Sequence, residues 1–265
     1  MLSGLRVLDL TDDKGFLCSK ILGDLGADVI KIEPPWGEMT RLSPPHFGGV
    51  SSTFHYLDRN KRGIALNLKD PKALEIVKEL IKQSDVVIEN FKRGTMDKLG
   101  LGYKEVRKLN PRIIYASLSG FGLDGPYADR PSFAPIAGSY CGWYRLTGDI
   151  VDPKGPPIRP AEWHGDLDPG LFAVIGVLGA LRHRDKTGEG QLIDVSQLDV
   201  MMAQTGVAIT GADQRGVSLC PLDSPLVSLD APGLWKYTPD FVPKRPAVYV
   251  NLFNNQWTTN FRMWN

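Results

Sequence analysis

Cysteine is scarce in this chain: Cys18, Cys141 and Cys220 are the only three in 265 residues, and they stand far apart. An odd number with no CxxC spacing excludes a disulfide framework and fits reduced, intracellular thiols. Histidine is as sparse. His46, His55, His164 and His183 form no HExxH pair, so no metal is expected. Neither sign of charge prevails, with 31 Lys and Arg against 30 Asp and Glu. No basic run interleaved with aromatics occurs, so nucleic acid is not an expected partner. No apolar run approaches the roughly 20 residues of a membrane helix, and the first ten residues, MLSGLRVLDL, carry no basic-then-apolar leader. The expectation is a soluble, cytoplasmic protein with no membrane partner. A GxSxG elbow and a P-loop are both missing, which removes the commonest hydrolase and nucleoside-triphosphate readings.

What is present is alternation. Short β-branched runs trade places with longer amphipathic ones, the pattern of a parallel sheet covered by helices. RVLDL (6–10) reads as a strand, GFLCSKILGDLG (15–26) as a helix ended by Gly26, and VIKIE (29–33) as the next strand. After a Pro- and Gly-rich loop (34–49), GIALNL (63–68) reads as a strand. A helix over 70–84, opened by Asp70 and Pro71, leads to DVVIEN (85–90), a short helix YKEVRKL and the strand RIIYASLSG (112–120). From Phe121 to Gly165 the period dissolves into glycine and proline, a loop long enough to line a site. An apolar helix, the strand LIDV (192–195) and a short helix (196–206) follow. The fold class expected is α/β, Rossmann-like, with residues 1–205 as one domain and 206–265 as an irregular, β-rich C-terminal segment.

Two motifs carry chemistry. GFGLDG (120–125) matches GxGxxG, but Pro126 and YADRP continue a loop where a dinucleotide fingerprint must open a helix, so no nicotinamide is expected. HGDLDPG (164–170) places two carboxylates ahead of the apolar helix. Asp168 followed by Pro169 has the form of an N-cap and first helical residue. That leaves Asp166 outside the helix, close to its positive end. A carboxylate held there is either a structural group or a nucleophile toward an activated acyl group.

The blocks GLRVLDLT, LGDLGADVIKIEPP, NKRGIALNLKDP, SDVVIENFKRGTMDKLGLGY, NPRIIYASLSGFGLDGPY and GVLGALRHRDKTGEGQLIDVSQLD, in this order, resemble the large domain of the family III CoA-transferases. That group includes formyl-CoA transferase and α-methylacyl-CoA racemase, and the resemblance covers about residues 2–205. It implies an interlocked homodimer and CoA or acyl-CoA as a substrate, with no permanently bound cofactor. The activity implied is transfer of CoA from an acyl-CoA donor to a small carboxylic acid, with Asp166 forming a mixed anhydride with the acyl group. It also implies CoA contacts at Leu66, Asn67, Asn90, Phe91 and Lys98, with Phe133 as an aromatic near the thioester.

The sequence departs from the family in three places. Pro131 stands where the racemases have a proton-moving histidine, which argues against the alternative of an acyl-CoA racemase or isomerase. Pro34 stands where relatives often carry an arginine. Beyond about residue 205 the smaller second domain of the family has no counterpart, so an inactive CoA-binding fragment is the other alternative. In the C-terminal segment, CPLDSPLVSL and NLFNNQWTTNF resemble the C-terminal β region of α-mannosidase-type glycoside hydrolases.

Overall fold

Each β-branched run that is followed by a helix returns to the same edge of one sheet, because a helical crossover is what lets neighbouring strands run parallel. The computed structural model describes residues 1–12, 15–152, 154–160, 163–206, 208 and 262–264. In chain order the elements begin β1 (Arg6–Leu10), α1 (Phe16–Asp24), β2 (Asp28–Glu33), β3 (His46–Phe47), β4 (Val50–Ser51), α2 (Ser52–Asp58) and β5 (Lys61–Ala65). Next come α3 (Pro71–Lys82), β6 (Val86–Glu89), α4 (Thr95–Lys98), α5 (Tyr103–Leu109), β7 (Ile114–Ser119), α6 (Ala134–Tyr140) and α7 (Trp143–Val151). The last are α8 (His164–Thr187), β8 (Leu192–Ser196), α9 (Gln197–Gln204) and β9 (Arg262–Trp264). The main sheet has the order β5-β2-β1-β6-β7-β8-β9, parallel except for β9, while β3 and β4 form a separate hairpin.

Strand periodicity divides the core in two. Val7, Val86, Ile88, Ile114, Ala116, Ile193 and Val195 pack on α1 and α8 through Cys18, Leu22, Ala173 and Val177. The intervening residues, among them Leu8, Val87 and Tyr115, pack on α3 and α5 through Val77, Ile81 and Val106. Helix α3 starts as its sequence dictates: the Asp70 side chain accepts from the Lys72 N–H at 2.9 Å, with Pro71 in the first turn.

Three expectations are corrected. Strand β5 ends at Ala65 and not at residue 68, because Asn67 folds its side chain onto the Lys69 N–H at 3.1 Å and its carbonyl onto the Asp70 N–H at 2.8 Å, closing a turn. The stretch read as a loop from 121 to 165 contains α6 and α7. Glycine hides them: Gly142, at φ +75°, separates the two, and Gly138 makes room for the Tyr144 ring, 2.7 Å from where a Cβ would stand. Finally, α8 begins at His164, before both carboxylates. The β-rich reading of 206–265, and with it the glycosidase resemblance, falls almost wholly outside the described residues.

Two polar groups interrupt the apolar faces. Asp9 is fully buried at the centre of the sheet. Its oxygens accept from Thr11 Oγ1 and Ser19 Oγ at 2.6 Å each, and they lie 3.4 Å from Lys31 Nζ and 3.0 Å from Lys61 Nζ. Burial pushes the Asp9 pKa up, but the two ammonium groups and two hydroxyls together hold it well below the usual carboxylate range. On the opposite face, Glu89, Ser117 and Asp194 form one rung across β6, β7 and β8. Glu89 and Ser117 line a pocket of about 480 Å³ together with Phe91, Arg93 and Tyr103. Burial pushes the Glu89 carboxyl up to about 7, although hydrogen bonds from Ser117 and the Phe91 N–H favour its ionised form.

Replacing Lys61 by Met strips Asp9 and Asp58 of a shared buried cation, and should cost about 3–5 kcal/mol in urea denaturation. Glu89 sets a pH dependence. The native state keeps its proton up to about pH 7, whereas the unfolded chain releases it near the ordinary value of 4.5. Native Glu89 therefore binds more protons across that window, and stability must fall as pH rises through it. At roughly 1.4 kcal/mol per pH unit separating the two values, the fall should be about 3 kcal/mol. Unfolding free energy measured from pH 4 to 8 should show this decline in the parent and a flatter profile in Glu89→Gln.

Candidate active site

A parallel sheet leaves the C-terminal ends of its strands on one edge, and the loops there meet where the winding direction reverses. From β1 the chain winds outward through β2 to β5, then returns to the other side of β1 for β6, β7 and β8. The crevice between β1 and β6 is that reversal point. Asn90, just past β6, bridges it: its Oδ1 accepts from the Asp12 N–H at 3.1 Å, and its Nδ2 donates to Asp12 Oδ1. Leu66 follows β5 and Phe91 follows β6, both half-buried against the α3/α5 side of the core. Asn67 and Lys98 are exposed. Leu66 and Asn67 thus lie just past the end of β5, and Asn90 and Phe91 just past the end of β6, on one edge of the sheet but with β2 and β1 between them, and Lys98 closes α4 nine residues beyond β6.

The helix carrying the two carboxylates does not start where its sequence points. Its N-cap is Trp163, without a side-chain hydrogen bond, and Pro169 lies inside it. Asp168 is therefore not the cap. Its side chain takes a hydrogen bond from Gln204 Nε2 at 2.9 Å and lies 3.3 Å from His164 Nδ1. A proline at this depth lacks the N–H that would bond the carbonyl four residues back, that of Gly165. A side chain supplies the missing donor: Gln197 Nε2 reaches Gly165 O at 2.8 Å. The helix can then continue upstream to His164.

This shift places Asp166 in the first turn instead of outside it, at the positive end of the helix, with its own N–H and that of Leu167 both bonded to the Trp163 carbonyl at 2.9 Å. The same Gln197 Nε2 donates to Asp166 Oδ1 at 2.9 Å. Gln197 opens α9 directly after β8, so Asp166 stands over the same sheet edge as the strand-end residues. Gly165 lets α8 close on α6: a Cβ there would lie 2.7 Å from Ala134 Cα. Phe133, the N-cap of α6 and 58% exposed, is thereby brought beside the Asp166 turn. One turn on, Gly170 packs on Leu17 and Cys18 of α1. Gln197 is the residue that sequence reading missed, and its signal was a polar side chain at the position where LIDV passes into a buried helix start.

Other candidate groups lie elsewhere. Cys18 and Cys141 are buried, and burial pushes the first thiol far up and the second up to about 11, so neither is a thiolate at neutral pH. The lining of the Glu89 pocket includes Phe91 but not Asp166, Gln197 or Phe133. The GFGLDG segment opens no helix. It is pinned by the Leu123 N–H on Asp194 Oδ2 and the Gly122 N–H on Ser119 Oγ, both at 2.9 Å, and the next helix waits until Ala134. Among the described residues no group of three His, Cys, Asp or Glu side chains is placed to hold a metal ion, and no helix is long and apolar enough to cross a membrane.

Comparison with known proteins gives the family and the fold. The sequence profile of CoA-transferase family III matches residues 2–218. The chain is 44% identical over 199 residues to the succinyl-CoA–L-malate CoA-transferase beta subunit of Chloroflexus aurantiacus, covering 74% of this chain and 48% of that one. It is also 44% identical over 203 residues to the acetyl-CoA:oxalate CoA-transferase of Acetobacter aceti, covering 76% and 51%. The crystal structure of a CAIB/BAIF family protein from Brucella suis superposes with a TM-score of 0.78 at 37% identity, covering 82% of this chain and 58% of that one. The chain spans about half the length of the curated relatives it matches. With the profile covering most of the sequence and the fold shared with a solved relative, the chain belongs to CoA-transferase family III.

Proposed function

We propose that this protein moves CoA from an acyl-CoA donor to a carboxylic acid acceptor, with Asp166 as the covalent nucleophile. The observation that carries this reading is the placement of Asp166. It is a carboxylate in the first turn of a helix, oriented by a buried amide, beside an exposed aromatic ring and over the edge where the strand-end loops converge. An Asp166 oxygen attacks the thioester carbonyl, the C–S bond breaks, and CoA leaves as thiolate with an acyl–aspartyl anhydride behind it. Attack of the thiolate on the aspartyl carbonyl releases the first acid and leaves an aspartyl thioester. The acceptor carboxylate then displaces the thiolate to form a second anhydride, and the thiolate attacks the acceptor's acyl carbon to give the new acyl-CoA and free Asp166. Backbone N–H groups at the start of α8 face the negative charge that develops in each step.

CoA is placed along the strand ends. Leu66 and Phe91 offer apolar surface, exposed Asn67 and Lys98 offer a donor and a cation for the phosphates, and Phe133 covers the thioester end. Asn90, whose side chain is committed to Asp12, acts by holding the crevice in shape. The partner is a second copy of the chain. The segment between β2 and α2 exposes Trp36, Met39, Leu42 and Phe47, a cluster of large apolar side chains that a monomer gains nothing by wetting.

Asp166→Asn should abolish exchange while leaving the fold intact, and hydroxylamine added during reaction with an acyl-CoA should leave a hydroxamate on Asp166, found by peptide mass spectrometry. A label on Asp168, or parental exchange by Asp166→Asn, would refute the assignment. CoA at millimolar concentration should raise the Tm, since a ligand confined to the native state stabilises it by RT ln(1 + [L]/Kd). Lys98→Ala should diminish that rise. Sedimentation should give a dimer for the parent and a monomer for Phe47→Glu.

A further inference from the structure

We infer that Gln197 is a catalytic hydrogen-bond donor to Asp166, fixing the attacking carboxylate and holding the oxygen on which charge gathers when the aspartyl carbonyl is itself attacked. The inference rests on the reading of Asp166 as nucleophile and assigns a partner to it. Gln197 is 1% exposed and starts a helix whose first turn is locked by Ser196, whose Oγ accepts from the Asp199 N–H at 2.9 Å. Its amide has one available orientation. Nε2 faces two acceptors, Gly165 O and Asp166 Oδ1, and a flipped amide would set its own oxygen against both. Among the described residues, Oε1 is buried and finds no hydrogen-bond partner. A buried acceptor without a partner is costly, so the amide is held by what its nitrogen does.

The chemistry follows from which oxygen is bound. With Oδ1 receiving the Gln197 N–H, Oδ2 is the oxygen turned to the acyl carbon, and Oδ1 remains the aspartyl carbonyl oxygen of the anhydride. When CoA thiolate adds to the aspartyl carbon, the C=O electrons move onto Oδ1, where the donor already stands. The charge returns as the C–O bond to the departing acid breaks. No proton moves in this step, and none is supplied by Gln197. The donor is in place before the reaction, and its bond strengthens as the charge grows.

Gln197 also repairs the Pro169 gap, so a purely structural role must be separated from a chemical one. Pro169→Ala restores a backbone N–H that can bond Gly165 O, which frees Gln197 from that duty. In this background, Gln197→Met removes only the donor to Asp166. The expected result is that Pro169→Ala alone exchanges CoA like the parent. Adding Gln197→Met should lower kcat and the single-turnover rate of hydroxamate formation on Asp166 by about 10²–10³-fold, with the KM for acyl-CoA unchanged, as for loss of a single oxyanion donor. Recovery of parental kcat in the double variant would overturn the inference and leave Gln197 a structural prop. Absence of any Asp166 hydroxamate in the parent would overturn the Asp166 reading and this inference with it, and the two failures are told apart by the parent alone.

Discussion

A carboxylate at the centre of a sheet is expensive to bury, and Asp9 is tolerated only because four chain segments deliver groups to it. Lys31 comes from β2, Lys61 from β5, Ser19 from α1 and Thr11 from the end of β1, while Asp58 at the end of α2 shares Lys61. Lys31 also donates to the Thr11 carbonyl. The network therefore fixes how β1, β2 and β5 are spaced and how the chain leaves β1. Everything placed at the reversal point inherits that geometry: Asp12 is bound by Asn90, and α1, whose Leu17 and Cys18 receive Gly170, sets the height of α8 over the sheet. Lysine suits this place because its ammonium head meets the acid and the face of Phe16 at once, the Lys31 and Lys61 nitrogens standing 4.1 and 5.4 Å from the ring centroid.

The second dependence concerns Pro169. A proline six residues into a helix should end it, and the sequence around it invites a later start. The protein instead carries the missing donor on another element, 32 residues downstream of the Gly165 carbonyl it satisfies. The consequence reaches beyond the helix. Because the amide that closes the gap lies next to the first turn, it reaches Asp166 as well, and the same contact that permits the early start orients the carboxylate. Defect and site are thus one arrangement.

This arrangement explains what was legible in the sequence. Strands β1, β2, β6, β7 and β8 announce themselves by β-branched runs, and α3 by its cap and proline, because local chemistry decides them. Asp166 stood out as the acid that a cap at Asp168 left unexplained, whereas the strand-end residues came from the family resemblance and not from the local pattern. The start of α8 was misread, since Asp168 and Pro169 make a sound local cap and only a tertiary hydrogen bond overrules it. Helices α6 and α7 were missed for a related reason. Helix α6 is held by contact with α8 and α9, and α7 by contact with α6, not by the propensity of a glycine-broken sequence. Glu89 gave no signal because its raised pKa depends on the rung it shares with β7 and β8.

Two carboxylates at the same edge of the sheet sit in different surroundings, and the contrast bears on the proposal that Asp166 is the one that reacts. Glu89 ends a strand, surrounded by other acids and apolar side chains, and burial favours its protonated form. Asp166 lies in the first turn of a helix, half-buried, at the helix's positive end and bound by a donating amide, surroundings that suit a developing oxyanion. The thiols share the fate of Glu89: buried in apolar surroundings, they are held as neutral S–H. A nucleophile must be ionised, reachable and able to form a bond as activated as the thioester it replaces. An anhydride is so activated, and a carboxylate made from it is the same kind of group as the acid being exchanged. The nucleophile is proposed at the helix start because a half-buried carboxylate there offers access and that chemical match, which the buried thiols and Glu89 do not.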